Sequence, residues 1–405
     1  MHNVREIAPD LYWIGANDNR LELFENIHPI PEGVSYNSYL LLDEKTVLFD
    51  TVDWAVGSQF LENIAHVLGG RDLDYLIINH MEPDHAASVE EVLIRYPNVK
   101  IILTNKAHLF MGQFGFDTSG FEVIEVKEGD ELKTGSHELV FIEAPMVHWP
   151  ETMVTFDKTN GVLFSADAFG TFGTLDGRIF NDEMDFEREY LDHARRYYTN
   201  IVGKYGVHTM KLLQKAQTID IKMLAPLHGP VWRTDLGWFI DKYVKWATYT
   251  PEEEGVLIVY GSMYGNTEAA ANKIAVQLAE KGITNIKMYD VSKTHPSYII
   301  SDAFRLSHIV LASVTYNLNL FPPMKTLLHD MKMLNLQNRK VALVENGSWA
   351  PTSGREMRAI LESMRNIEIL DNELNFTSAA KELDADKMDM LVDTIVESFK
   401  KEEEK

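Results

Sequence analysis

Short apolar runs separated by helix-length segments recur through the C-terminal part of the chain: Val256–Tyr260, Ile286–Tyr289, Ile309–Ala312, Val341–Val344 and Ile367–Leu370. That alternation predicts a parallel sheet flanked by helices. In the first crossover Ala270, Ile274 and Leu278 repeat at helical spacing before Lys281-Gly282, a cationic last turn followed by a C-cap glycine. Five strands in a segment of this length suit a doubly wound α/β order. Residues 1–250 read differently, mixing hairpins with strand-to-helix turns, which predicts a larger α+β or sandwich-type domain. Tyr39-Leu40-Leu41-Leu42 turns through Asp43-Glu44-Lys45 into Val47-Leu48-Phe49-Asp50, and Met153-Val154-Thr155-Phe156 turns through 157–161 into Val162-Leu163-Phe164 and on to Asp167. Both hairpins carry a Val-Leu-Phe run leading to an aspartate, a faint echo that hints at two similar halves packed face to face.

Thr250-Pro251-Glu252-Glu253-Glu254-Gly255 separates the two patterns, so two domains are expected, 1–250 and 251–405. The balance of 61 Asp and Glu against 38 Lys and Arg gives a formal net charge of −23. That charge repels phosphate backbones and disfavours nucleic acid or an anionic membrane as partner. Cysteine is absent, which excludes disulfides, thiolate nucleophiles, zinc-thiolate sites and cysteine-ligated clusters. Any metal must then sit mainly on His, Asp or Glu. Residues 1–10 lack the apolar core of ~7–15 residues that a secretory signal needs. No run approaches the ~20 apolar residues of a membrane span, and a soluble cytoplasmic protein is the expectation. The tail, Lys400 to Lys405, reads as a solvated helix end.

After the apolar strand Tyr75–Asn79 comes His80-Met81-Glu82-Pro83-Asp84-His85, which packs four possible ligands into six residues. Pro83 biases Glu82 away from helix, so His80, Glu82 and Asp84 are expected on one side of an extended turn. A charged surface loop gives no reason for such alternation directly after a buried strand. His148, Asp167 and His228 each follow a strand in the same half, where sites collect. Singly each is more simply a satisfied core histidine or a turn aspartate; together they offer enough ligands for two metals, with Asp167 the natural bridge. His193 and His208 read as ordinary helical residues. The set resembles the metallo-β-lactamase fold, whose hydrolases carry a His-x-His-x-Asp-His loop followed by later His, Asp and His ligands. Glu82 replaces the second histidine with a hard, anionic oxygen. The resulting mixed nitrogen and oxygen set favours a di-iron over a di-zinc centre.

Strand Val256–Tyr260 runs into Gly261-Ser262-Met263-Tyr264-Gly265-Asn266-Thr267, with a helix to follow. Hydroxyls, a glycine and successive N–H groups at a helix N-terminus make a pocket for a terminal phosphate. No P-loop lysine and no Gly-x-Gly-x-x-Gly is present, which leaves a mononucleotide as the better fit. An ordinary turn with a Ser cap is the plain alternative for this segment alone. Ser313-Val314-Thr315-Tyr316-Asn317 and Asn346-Gly347-Ser348-Trp349-Ala350, after the third and fourth strands, supply further walls, where Tyr316 and Trp349 could stack on an isoalloxazine ring; plain packing is the alternative for aromatics in loops. These segments resemble flavodoxin, whose phosphate loop reads Ser/Thr-x-Thr-Gly-Asn-Thr. Tyr264 departs from that pattern and removes one hydroxyl. FMN is the expected cofactor.

Joined, the two halves resemble the flavodiiron protein family across essentially the whole chain. The implied architecture is an α+β metallo-β-lactamase-like αββα sandwich followed by an α/β flavodoxin-like doubly wound parallel sheet. The implied activity is reduction of dioxygen to water, of nitric oxide to nitrous oxide, or both. By that resemblance His80, Glu82 and His148 hold one iron, Asp84 and His228 the other, and Asp167 bridges; His85 is a ligand in some members only. The family also implies a head-to-tail homodimer, with a tetramer as the next assembly, that brings one subunit's FMN to the other's irons. With no cysteine for a fused rubredoxin-like domain, an external donor is expected: a rubredoxin first, a separate NAD(P)H-dependent reductase or a reduced deazaflavin coenzyme as rivals. The competing readings are a zinc hydrolase with a redox-regulatory flavodoxin domain and an electron carrier with a vestigial metal site.

Overall fold

The computed structural model describes residues 1–380 and 385–403. Glu404 and Lys405, the end of the expected solvated tail, lie outside the described residues; the helix before them spans Ala385–Glu403. The chain forms two compact units, Met1–Val244 and Lys245–Lys405.

The first unit is built on two large sheets with an apolar core between them, beside two small two-stranded ones, Ala16–Asp18 with Val34–Tyr36 and Leu23–Phe24 with His28–Pro29. Seven strands make the first sheet, in the order Arg5–Ala8, Leu11–Trp13, Tyr39–Leu42, Thr46–Phe49, Tyr75–Ile77, Lys100–Thr104 and Val123–Val126. Five make the second: Glu131–Lys133, Glu138–Glu143, Met153–Asp157, Val162–Phe164 and Met223–Ala225. Tyr39, Leu41, Val47, Phe49 and Ile77 from the first meet Leu139, Phe141, Met153, Val162 and Phe164 from the second. Leu40 and Leu48, on the opposite face, are buried too. Helix Gly57–Leu68 lies against strand Tyr39–Leu42, which is why that run is apolar at every position. The two Val-Leu-Phe runs meet at the centre, where the rings of Phe49 and Phe164 stack with centroids 3.7 Å apart.

Each large sheet contains a parallel pair, and this sets where its loops emerge. Phe49 pairs with Ile77 in the first sheet and Phe164 with Ala225 in the second. The segments leaving these strand ends, 50–53, 78–85, 165–169 and 226–229, therefore collect at one edge of the sandwich. An amide at the start of the middle strand of the second sheet ties the two together, because Met153 N–H donates to the carbonyl of Asn79 (3.0 Å).

The second unit is a parallel sheet in the order Ile286–Asp290, Glu253–Gly261, Leu306–Tyr316, Arg339–Asn346 and Ile367–Ile369. Numbered along the chain this is 2-1-3-4-5, the doubly wound order, with an apolar cluster on each face. Two strands begin earlier than their apolar runs suggest. Glu253 and Glu254 of the acidic run already belong to the first strand, Glu253 pairing with Leu306 ahead of a shift in register before Val256. The third opens on Leu306 and continues through Ser307 and His308, polar residues that are buried yet satisfied, His308 bonding the hydroxyls of Ser307 and Ser398. The helix carrying Ala270, Ile274 and Leu278 spans Asn266–Glu280, and Gly282 beyond it takes a left-handed φ of 92°. No helix among the described residues is long and apolar enough to cross a membrane.

Candidate metal centre and flavin pocket

Glu82 is extended, as a residue before proline should be, but Pro83 then starts a short helix, Pro83–Ala86. The expected extended turn carrying His80, Glu82 and Asp84 on one side thus stops at Glu82. As a result the loop divides its donors between two clusters. His80, Glu82, His148 and Asp167 converge in one, and Asp84, His85 and His228 in the other. Glu82 Oε2 lies 3.3 Å from His80 Nε2 and 2.9 Å from His148 Nε2. Asp84 Oδ2 lies 3.3 Å from the Nε2 atoms of both His85 and His228. Asp167 faces both groups: Oδ2 is 3.1 Å from His80 and 3.3 Å from His148, while Oδ1 is 3.1 Å from His85.

These donors fit a pair of cations and fit little else. His85 Nε2 and His228 Nε2 are 3.1 Å apart, so two ring nitrogens aim their lone pairs at one volume unless a proton or a metal occupies it. Among the described residues, neither buried carboxylate oxygen of Asp84 and not Oδ2 of Asp167 has a hydrogen-bond donor. Burial opposes charge on the imidazoles, yet the carboxylates outweigh it. His80 is raised well above its usual range by Asp167, Glu151 and Glu82, His85 to about 9 by Asp84 and Asp167, and His148 to about 10 by Asp167 and Glu82. Despite burial, the same partners hold Glu82 and Asp167 below the carboxylate range. The pocket demands positive charge, and its mixed imidazole and carboxylate donors suit iron.

Three carboxylates that support the cluster were not evident as partners from the sequence. Asp50 accepts from Asn79 N–H (2.7 Å), Asn79 Nδ2 (2.8 Å) and His80 N–H (3.3 Å), fastening the root of the ligand loop. Burial pushes its carboxyl up to about 6 against those bonds. Glu151 is buried and bonds the far nitrogen of His80. Glu25, in the turn between Leu23–Phe24 and His28–Pro29, hydrogen-bonds Glu82; burial and the charge of Glu82 push it up to about 8. Only Asp50 had a local signal, as the aspartate closing the first Val-Leu-Phe run. Phe24, Tyr36 and Tyr197 ring His228 with centroids 5.4 to 5.6 Å from it.

In the second unit a cavity of about 470 Å³ opens at the carboxyl ends of the strands, within the size range of small-molecule sites. Ser262, Met263, Tyr264, Asn266, Thr267, Thr315, Tyr316, Asn317, Asn346, Gly347, Ser348 and Trp349 line it, with Val314, Leu318 and Ser378 in addition. Gly265 and Ser313, also expected there, do not line it. Gly265 takes a left-handed φ of 88° and donates its N–H to Ser262 Oγ (3.1 Å), which sets the turn before helix Asn266–Glu280. The carbonyl of Ser313 accepts from Ser353 Oγ (2.9 Å). Thr315 also has a structural task, its hydroxyl accepting from Thr352 and Ser353 N–H (2.9 and 3.2 Å) at the start of helix Ser353–Leu361. The buried amide of Asn346 donates to Thr267 Oγ1 (3.2 Å) while its Oδ1 has no donor among the described residues. An acceptor left open in such a cavity, beside a helix N-terminus, fits a ligand with hydroxyl or N–H donors and a phosphate. Ser378 comes from beyond the last strand, where no apolar run or glycine marked it.

Two family models match separate parts of the chain. Residues 34–229 match the ODP family of β-lactamase domains and residues 258–362 match flavodoxin. The chain is 33% identical over 354 residues to the anaerobic nitric oxide reductase flavorubredoxin of Vibrio vulnificus, covering 85% of this chain and 70% of that one. Among solved structures, rubredoxin oxygen:oxidoreductase from Desulfovibrio gigas superposes with a TM-score of 0.90 at 27% identity, covering 98% of each chain. A variant of the flavo di-iron protein from Thermotoga maritima gives 0.89 at 26% identity, again over 98% of both.

Proposed function

Because the chain belongs to the flavodiiron protein family, an oxidoreductase family with an FMN-binding flavodoxin domain and a di-iron site, we propose that it reduces dioxygen to water, nitric oxide to nitrous oxide, or both. The observation that carries this reading is the two-sided Asp167, one oxygen toward each donor cluster. In this reading His80, Glu82 and His148 hold one iron, Asp84, His85 and His228 the other, and Asp167 joins them. When bound, the two irons and FMN supply electrons, one from each ferrous ion and two from reduced flavin.

The side chains around the donors suit a small uncharged gas. Phe24, Tyr36 and Tyr197 make a mostly apolar wall beside His228, which keeps bulk water from that side of the donors. Burial and the nearby carboxylates raise the phenols of Tyr36 and Tyr197, so both stay protonated and can donate. In the flavin pocket Ser262, Asn266 and Thr267 would hold the phosphate, and Tyr316 and Trp349 the ring. Trp349 is 76% exposed and Tyr316 41%, which leaves that rim open to a donor or a second subunit. A homodimer, an external donor such as rubredoxin, and a cytoplasmic location complete the proposal; the names of the relatives support the gases and the rubredoxin.

The test is anaerobic reduction of purified, iron-loaded protein followed by a pulse of either gas. Repeated gas consumption with reoxidation of the flavin is expected. Consumption of neither gas, or native protein carrying two zinc ions and no iron, would overturn the proposal.

A further inference from the structure

The two clusters have matching formal charge, since each has one carboxylate of its own, Glu82 or Asp84, and shares Asp167. They differ in what stands behind the imidazoles. His80 Nδ1 is 2.7 Å from Oε1 of Glu151, and the same oxygen accepts Met81 N–H at 3.1 Å. The Glu151 side chain has no solvent exposure. Among the described residues its one ion-pair partner is His80, and Oε2 has no hydrogen-bond donor. Its backbone is fastened as well: the carbonyl accepts from Thr104 Oγ1 (2.9 Å), and that hydroxyl accepts Ala107 N–H (3.2 Å) at the start of helix Asn105–Gln113. In the other cluster His228 Nδ1 meets only a neutral acceptor, the carbonyl of Ser35, at 2.8 Å. His85 Nδ1 has no partner among the described residues.

We propose that Glu151 is a positioning residue that makes the two iron positions unequal, so that the His80, Glu82 and His148 position takes the first ferrous ion and is the harder of the two to reduce. The physical reason is that a buried carboxylate bonded to Nδ1–H fixes the tautomer of His80, aims Nε2 into the cluster and increases its basicity. Its unbalanced negative charge in a desolvated place also favours the more highly charged ferric state on that side. A neutral carbonyl orients His228 without adding charge, and the Nδ1 of His85 has no bonded partner, Asp50 and Asp53 acting on that ring only through space. The inference rests on the di-iron reading of the site and not on which gas is reduced.

The experiment compares full-length wild-type protein with Glu151→Gln, which keeps an acceptor oxygen and removes the charge. Apo protein takes up one equivalent of ferrous ion enriched in the Mössbauer-active isotope, then one of unenriched ion, anaerobically. The wild type should show one iron environment after the first equivalent, and a redox titration should separate two one-electron steps. In Glu151→Gln the first equivalent should bind about 10- to 100-fold more weakly, spread over both environments, and the two reduction steps should move closer together. FMN content and circular dichroism should stay unchanged. A variant with wild-type affinity, order and step separation overturns the proposal. If the variant fails to fold, the wild type still decides, since random filling of the two positions by the first equivalent overturns it and ordered filling supports it. Failure of gas turnover leaves these readouts unaffected, so the two proposals fail separately.

Discussion

With Oδ2 toward His80 and His148 and Oδ1 toward His85, Asp167 cannot be lost from one donor cluster alone. Asp167→Ala should lower iron content at both positions and reduce gas turnover by about 100-fold or more, given that even outer-shell partners of metal sites are worth 10–100-fold. Flavin absorbance should stay intact; metal analysis and an absorbance spectrum check both halves of the statement. Trp349 makes the complementary case. It is 76% exposed on the rim of the flavin cavity, and ring stacking contributes about 0.5–1.5 kcal/mol. Trp349→Ala should therefore weaken FMN binding by about two- to tenfold, read as flavin fluorescence released on dilution, with iron content unchanged. A Trp349→Ala protein that keeps FMN at wild-type affinity would move the ring away from this wall.

At the level of single elements, the third strand and the last helix of the second unit are joined through His308. Its ring stacks on Phe399 with centroids 3.8 Å apart and bonds Ser307 and Ser398. Burial first, then the cation of Lys340, lowers it to about 3. The unfolded chain, with histidine near its usual 6.5, binds more protons between these values, so the contribution of His308 is fully present above about pH 6.5 and is lost as pH falls toward 3. The slope for one such group is about 1.4 kcal/mol per pH unit. Urea unfolding of the second unit at pH 7.5 and pH 5 should show this loss, and His308→Gln should flatten the dependence. An identical pH profile for the two proteins would exclude His308 as the source. His308 also shows how an element can hide from its own pattern: two polar residues near the head of a strand broke the apolar run, and only their partners, Gly255 for Ser307 and Ser398 on the last helix for His308, show that they are buried and satisfied.

Across the whole molecule, each unit has its own apolar core and its own cofactor, so ligand-linked stability should divide between them. A ligand present at 100 times its Kd adds about 2.7 kcal/mol to the unit that binds it. Chelating the iron should lower the calorimetric transition of residues 1–244 and leave that of the flavin unit in place, while stripping FMN should do the reverse; one shared shift for both treatments would refute the division. Much of this was legible in one dimension. The apolar rhythm announced both units, the cysteine-free donor set announced imidazole and carboxylate ligation, and the strand-end positions of His80, His148, Asp167 and His228 announced a site. These are local facts about residue type and spacing, which periodicity and turn chemistry report directly. What remained hidden was which donors belong together. Pro83 starts a helical turn that sends Asp84 and His85 to a different cluster from Glu82, and the packing of two sheets brings Glu151 behind His80 and the Ser35 carbonyl behind His228. Those partners lie 71 and 193 residues apart in the chain. No neighbouring residue encodes such a distance; it follows from how Phe49, Phe164 and the rest of the core fill the space between the sheets, and that is a property of the folded chain.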